Sequence, residues 1–95
     1  MEKVFSRIWV GYDVKAFNNG GKEIDFRASK DGKVYYIQVA YSVADPKAYQ
    51  REFDAFKGLD DLNQRVLITT DPFDYSTSTV RHIRFADFLL MNDLQ

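Results

Sequence analysis

The residues with the most chemical potential in this 95-residue chain are two carboxylates and an amide, Glu23, Asp25 and Gln38. They lie on two segments joined by Asp31-Gly32, a dipeptide suited to the positive φ angles of a two-residue hairpin turn. That turn sets Lys30 against Lys33, so cross-strand partners sum to 63. Phe26 then faces Ile37, Ile24 faces Val39, Asp25 faces Gln38 and Glu23 faces Ala40. Directly opposed Cβ atoms stand about 4.5–5.5 Å apart. Two carboxylates and an amide oxygen at such spacing suit a hard cation such as magnesium. The competing reading is a solvated sheet face carrying polar pairs.

Other polar residues point to less. His82 is the sole histidine and the chain has no cysteine, which excludes the usual zinc ligand sets and leaves a structural or surface role. Ser76 to Thr79 offer hydroxyls with no base nearby in sequence, as a flexible loop would. Gln50, Arg51 and Glu52 flank an apolar helical stripe. Arg51 is a candidate anion ligand, against the plainer reading of a solvated helix face. Gly20-Gly21 is not a phosphate loop, and no P-loop pattern occurs in the chain, so this chain is not itself an ATPase.

The elements that would position these side chains are legible from periodicity. Lys22 to Lys30 alternate with Ile24, Phe26 and Ala28 on one face, and Lys33 to Tyr41 are rich in β-branched and aromatic residues; both read as strands. Tyr12 to Phe17 read as a preceding strand, closed by the turn cluster Asn18 to Gly21. Asp45 suits a helix N-cap and Pro46 the first helical position. Tyr49, Phe53 and Phe56 follow as a core stripe, and Gly58 ends the helix. Arg65 to Thr70 is a strand with a buried-type run, for which a right-handed crossover onto a parallel neighbour is expected. A polar loop over 71–79 leads to a short strand, Val80 to Arg84. A short helix, Phe85 to Met91, follows with Phe85, Phe88 and Leu89 as its apolar side. Val4, Phe5, Ile8 and Trp9 predict the end of a helix over residues 1–10, closed at Gly11. The order α-β-β-β-α-β-β-α makes the chain an α+β domain with a mixed sheet.

The run Lys22-Glu23-Ile24-Asp25-Phe26, a hairpin, then Tyr36-Ile37-Gln38-Val39-Ala40 resembles the core of the PD-(D/E)XK nuclease-like fold. More narrowly, the chain is similar to a C-terminal domain of unknown function in archaeal and bacterial AAA-type ATPases. Gly11-Tyr12-Asp13-Val14, Arg51-Glu52-Phe53 and the segment His82 to Leu90 carry that likeness in order along nearly the whole chain. The resemblance implies an αβββαβ core, here an α/β sandwich with a short extra strand and helix. In the nuclease pattern, acids on adjacent strands bind magnesium while a lysine two residues on stabilises the charged transition state. Asp25 matches the first position and Gln38 the second, but Ala40 stands where the lysine belongs. Active relatives also carry a glutamate on the first helix; Ser6 is the nearest position here, with Glu2 one turn earlier. Lys22 and Lys33 lie at the hairpin ends, poorly placed to substitute. Losing two such groups costs several orders of magnitude in rate, so the site reads as degenerate.

Composition supports that reading. The chain is 45% apolar and 28% charged, the balance of a folded protein, and its length suits one domain. Its 15 aromatic residues (8 Phe, 6 Tyr, 1 Trp) are read as core. Thirteen basic against fourteen acidic residues leave no excess to track phosphates. The lack of cysteine favours a reducing cytoplasm, and no apolar run approaches the roughly 20 residues of a membrane span. The expectation is a single domain over 1–95, a C-terminal fragment or reduced relative of a longer ATPase. It would act as a non-catalytic accessory domain that engages a protein partner, an ATPase domain or, weakly, nucleic acid, with no cofactor. Magnesium-dependent DNA cleavage through Glu23, Asp25 and Gln38 is the alternative. A third reading is a small toxin–antitoxin-like or repair module that forms a homodimer through its sheet edge or aromatics.

Overall fold

The computed structural model describes residues 11–59, 61–91 and 94. The helix expected over residues 1–10, with Glu2 and Ser6, lies outside the described residues. Five strands and two helices follow in order: β1 (Asp13–Asn19), β2 (Lys22–Lys30), β3 (Lys33–Val39), α1 (Pro46–Asp54), β4 (Gln64–Thr69), β5 (Val80–Arg84) and α2 (Phe85–Leu90). The strands form one sheet in the order β1-β2-β3-β4-β5. The first three run antiparallel as a meander, while β3–β4 and β4–β5 are parallel. Tight turns close the meander, whereas each parallel pair needs a crossover. Segments 40–63, with α1, and 70–79 supply them. The domain is therefore α+β with a mixed sheet.

Local chemistry explains the elements. Asp31 and Gly32 adopt φ of 53° and 79°, the backbone their turn requires, and β2 pairs with β3 from Lys30↔Lys33 to Phe26↔Ile37 in the expected register. Asp45 caps α1 by accepting from the Ala48 amide at 3.2 Å, and Pro46 opens the helix. The helix ends at Asp54, short of Gly58, and tightens into Phe56 N–H to Phe53 O and Lys57 N–H to Asp54 O bonds. The Asn19 side-chain amide donates to the carbonyls of Ala55 (3.0 Å) and Lys57 (2.8 Å), tying this turn to β1.

Both sheet faces are buried. Tyr35, Ile37, Val66 and Ile68 pack on one face with Ala28, Ile83 and Phe88 of α2. Tyr36, Leu67 and Val80 pack on the other with Ile24, Ala55 and Phe56 at the end of α1. The Val66-Leu67-Ile68 run feeds both clusters, as continuous apolar runs do in parallel sheets covered on two sides.

Three expectations require correction. Ile24 does not pair with Val39 or share a face with Phe26. Pairing of β1 with β2 shifts from Lys15↔Arg27 to Phe17↔Ile24, so Asp25 and Phe26 together oppose Ala16. This β-bulge reverses the in/out alternation and turns Ile24 toward α1. The stripe of α1 is also narrower than its spacing suggests: Phe56 is buried and Phe53 half-buried, but Tyr49 is exposed, and the buried residue within the helix is Glu52. Likewise Leu89 of α2 is exposed, leaving Phe85 and Phe88 as its inner side.

Candidate functional site

The bulge places Asp25 beside Gln38, as the sequence suggests, but through side-chain bonds and not a backbone rung. The β2–β3 ladder ends at Phe26↔Ile37. One residue further, the Asp25 amide donates to Gln38 Oε1 at 2.6 Å, and the Val39 amide donates to Asp25 Oδ2 at 2.9 Å. Because a backbone N–H can only donate, the Gln38 oxygen must face Asp25, and its Nε2 points to α1. There it donates to Glu52 Oε1 at 3.3 Å, while Arg51 Nε donates to Glu52 Oε2 at 3.1 Å. Gln38 and Glu52 are both buried, so these bonds satisfy polar groups that would otherwise be costly to desolvate.

A cleft of about 430 Å³ opens above this chain of bonds, lined in part by Lys22, Glu23, Asp25 and Arg51. Glu23 is exposed and pairs across β1 with Asn18. Arg51, the candidate anion ligand, has an exposed side chain whose Nε is paired with Glu52. Ala40, where the sequence resemblance would place a lysine, is half-buried; its amide donates to the Ile68 carbonyl at 3.0 Å, and its methyl offers no charge. Among the described residues no three His, Asp or Glu side chains gather into a group able to hold a metal ion. Gln38 Oε1 and Asp25 Oδ2 each accept a backbone N–H, so within this trio those two oxygens already serve the scaffold. Glu52 escaped the sequence reading as part of a solvated face. Its signal was present: Tyr49, Glu52, Phe53 and Phe56 together follow the i, i+3, i+4, i+7 spacing of one helix face.

A second polar network lies where β4 and β5 end. Asp71 is buried and accepts from Ser42 Oγ at 2.6 Å and the Val43 amide at 2.8 Å. Burial alone pushes the Asp71 carboxyl up, but the bonds from Ser42, Val43 and Thr69 outweigh it and hold the group below the usual carboxylate value. Thr69 Oγ1 accepts from the Asp71 amide at 3.0 Å and lies 2.7 Å from His82 Nε2. His82 Nδ1 accepts from the Tyr75 amide at 3.1 Å, which leaves the ring proton on Nε2, directed at Thr69. Burial lowers the His82 pKa, offset in part by Asp74 and Asp71, so the imidazole is neutral near pH 7. Of the two roles considered for His82, the structure places it in the structural one. The loop carrying Ser76 to Thr79 is held by it: the His82 amide donates to Ser76 Oγ at 2.9 Å. Residues this far apart in sequence meet only because β3, β4 and β5 end side by side.

No described helix is long and apolar enough to cross a membrane. Compared with protein families, with curated proteins and with solved structures, the chain matches none.

Proposed function

We propose that this domain is a non-catalytic interaction module in which a nuclease-like constellation serves as a structural clasp. The observation that carries this reading is the Gln38 side chain. The oxygen that would face a cation accepts the Asp25 amide at 2.6 Å, and its nitrogen is directed to Glu52. The apolar Ala40 two residues on supports the same reading, since nothing there stabilises a developing phosphorane charge. The antiparallel meander, the α1 crossover and the parallel β4 are compatible with a PD-(D/E)XK nuclease-like core. The sequence resemblance supports a place beside a AAA-type ATPase, with that ATPase or its protein partner as the bound molecule.

Two assays test the reading. Manganese or magnesium is titrated to millimolar concentration while the amide resonances of Asp25, Gln38 and Val39 are followed, and plasmid and single-stranded DNA are incubated with the chain and manganese. The expected outcome is no saturable shift and no cleavage. Cleavage that disappears in Asp25→Ala would establish the nuclease reading instead.

A further inference from the structure

We propose that His82 is the pivot of a proton-driven switch in the loop over 71–79, in which Nδ1 exchanges the Tyr75 amide for the Asp74 carboxylate. The switch stands apart from the Gln38 clasp and does not depend on the interaction-module reading.

The imidazole uses its two nitrogens differently. Nε2 lies 2.7 Å from Thr69 Oγ1 and carries the proton of the neutral ring, so it donates in either charge state. Nδ1 accepts the Tyr75 amide at 3.1 Å, which it can do only while unprotonated. A proton added there turns the acceptor into a donor and sets two N–H groups against each other. The bond to Tyr75 must then break, while the bond to Thr69 persists.

The replacement acceptor already stands beside the ring. Asp74 Oδ1 lies 3.8 Å from Nδ1, about 1 Å beyond the length of a charge-assisted hydrogen bond. Its side chain is 78% exposed and accepts the Ser76 amide at 2.9 Å, a bond within the same short segment. The bonds from Ser76 hold the Asp74 carboxyl below its usual value, so it is charged throughout the range in which histidine titrates. Two further charged groups act on the ring: the buried Asp71 attracts its positive charge, and Arg84 of the same strand repels it. From β4 it meets the uncharged Thr69, and α1 approaches through Tyr49, which reaches the neighbouring Tyr75 at 6.1 Å.

Anchors on either side confine the movement. Asp71 is bonded to Ser42, Val43 and Thr69. At the other end the Thr77 amide donates to the Val80 carbonyl at 2.8 Å, and the Val80 amide donates to Thr77 Oγ1 at 3.0 Å. Neither anchor involves Nδ1, so the exchange displaces residues 73–76 and leaves the loop ends in place. The Tyr75 ring, 5.7 Å from the imidazole and 4.9 Å from Phe73, travels with its amide. Burial holds the folded ring below the ordinary 6.5, a value towards which a displaced segment would let it return. The Tyr75-bonded form is therefore complete above about pH 6.5, and proton uptake below it favours the exchange.

The test is an NMR titration of the ¹⁵N-labelled chain from pH 8 to 5, reading the His82 ring nitrogens and the amides of residues 73–76. The Tyr75 amide should shift with the same midpoint as the ring, below 6.5, while the amides of Ile37 and Leu67 stay level. Asp74→Asn removes the charge of the new acceptor and should lower that shared midpoint by about half a pH unit. His82→Asn supplies an uncharged acceptor oxygen near the position of Nδ1 and should keep Tyr75 level down to pH 5. The parent and Asp74→Asn titrations decide the matter should His82→Asn fail to fold. A ring that titrates while Tyr75 stays level, or one still neutral at pH 5, would overturn the proposal. So would an unchanged midpoint in Asp74→Asn, a Tyr75 shift that persists in folded His82→Asn, or a loss of dispersion across the whole spectrum at the shared midpoint.

Discussion

Gln38 Oε1 lies 2.6 Å from the Asp25 amide nitrogen, and this contact takes the place of a missing rung in the sheet. The bulge at Asp25-Phe26 breaks the β2–β3 ladder one residue short of this level. Side chains then complete the pairing in both directions, since Asp25 Oδ2 accepts the Val39 amide. Asp25 and Gln38 thus act here as hydrogen-bonding groups of the scaffold, joined to α1 through Glu52.

Replacement of Gln38 by Glu should be destabilising at neutral pH, by about 1–3 kcal/mol, because a second carboxylate would lie against buried Glu52. Lowering the pH toward 5 should restore part of the loss, as one of the pair takes up a proton. Gln38→Leu should cost about 2–4 kcal/mol at either pH, since it removes the partner of the Asp25 amide and of Glu52 Oε1. Urea titrations at the two pH values check both; a Gln38→Glu protein as stable as the parent at pH 7 would contradict the clasp.

The bulge predicts an order of sensitivity. Ile24 is 1% exposed within the α1-side cluster, whereas Phe26 is half-buried on the opposite face. Ile24→Ala should cost about 3–4 kcal/mol, and Phe26→Ala, despite removing more atoms, about 1–3 kcal/mol. The reverse order in denaturant midpoints would mean that β2 runs without its bulge.

Acid sensitivity should begin with His82. Its folded pKa lies below the ordinary 6.5, chiefly through burial, so the unfolded chain takes up the proton first. Stability is therefore complete above about pH 6.5 and falls as the pH drops toward the folded value. Protonation would also oppose the Tyr75 amide with a second N–H, while Asp74, 3.8 Å from Nδ1, and Asp71 attract the charge and Arg84 repels it. The lowered pKa values of Asp61 and Asp71 act in the same direction, but below 3.8. Melting temperatures between pH 5 and 8 should fall on the acid side in the parent and stay nearly level in His82→Gln; equal slopes would exclude His82 as the source.

Asp71→Ala should cost about 2–4 kcal/mol, because the Ser42 hydroxyl and the Val43 amide lose their acceptor where water is scarce. Asp71→Asn, which keeps one acceptor oxygen, should cost less, about 1–2 kcal/mol. Hydrogen exchange at Val43 reports the local effect, and unchanged protection in the Ala variant would show that Asp71 does not anchor this segment.

Much of the fold was legible along the chain, because the signals were local. Asp31-Gly32 demanded positive φ, Asp45-Pro46 opened a helix, and Val66-Leu67-Ile68 marked a strand buried on both sides. These choices depend on a few neighbouring residues, and each element appears where they place it. What depended on distant partners was hidden. The face of Ile24 turned on a bulge against Ala16, and the burial of Glu52 on its meeting with Gln38. His82 and Asp71 are joined only because parallel strands bring their carboxyl ends together. The sequence by itself determined the order of the described elements and the nearness of Asp25 to Gln38. Only the tertiary structure decided that this pair would spend its hydrogen bonds on the scaffold, because satisfying buried polar groups is settled by what packs against them in space.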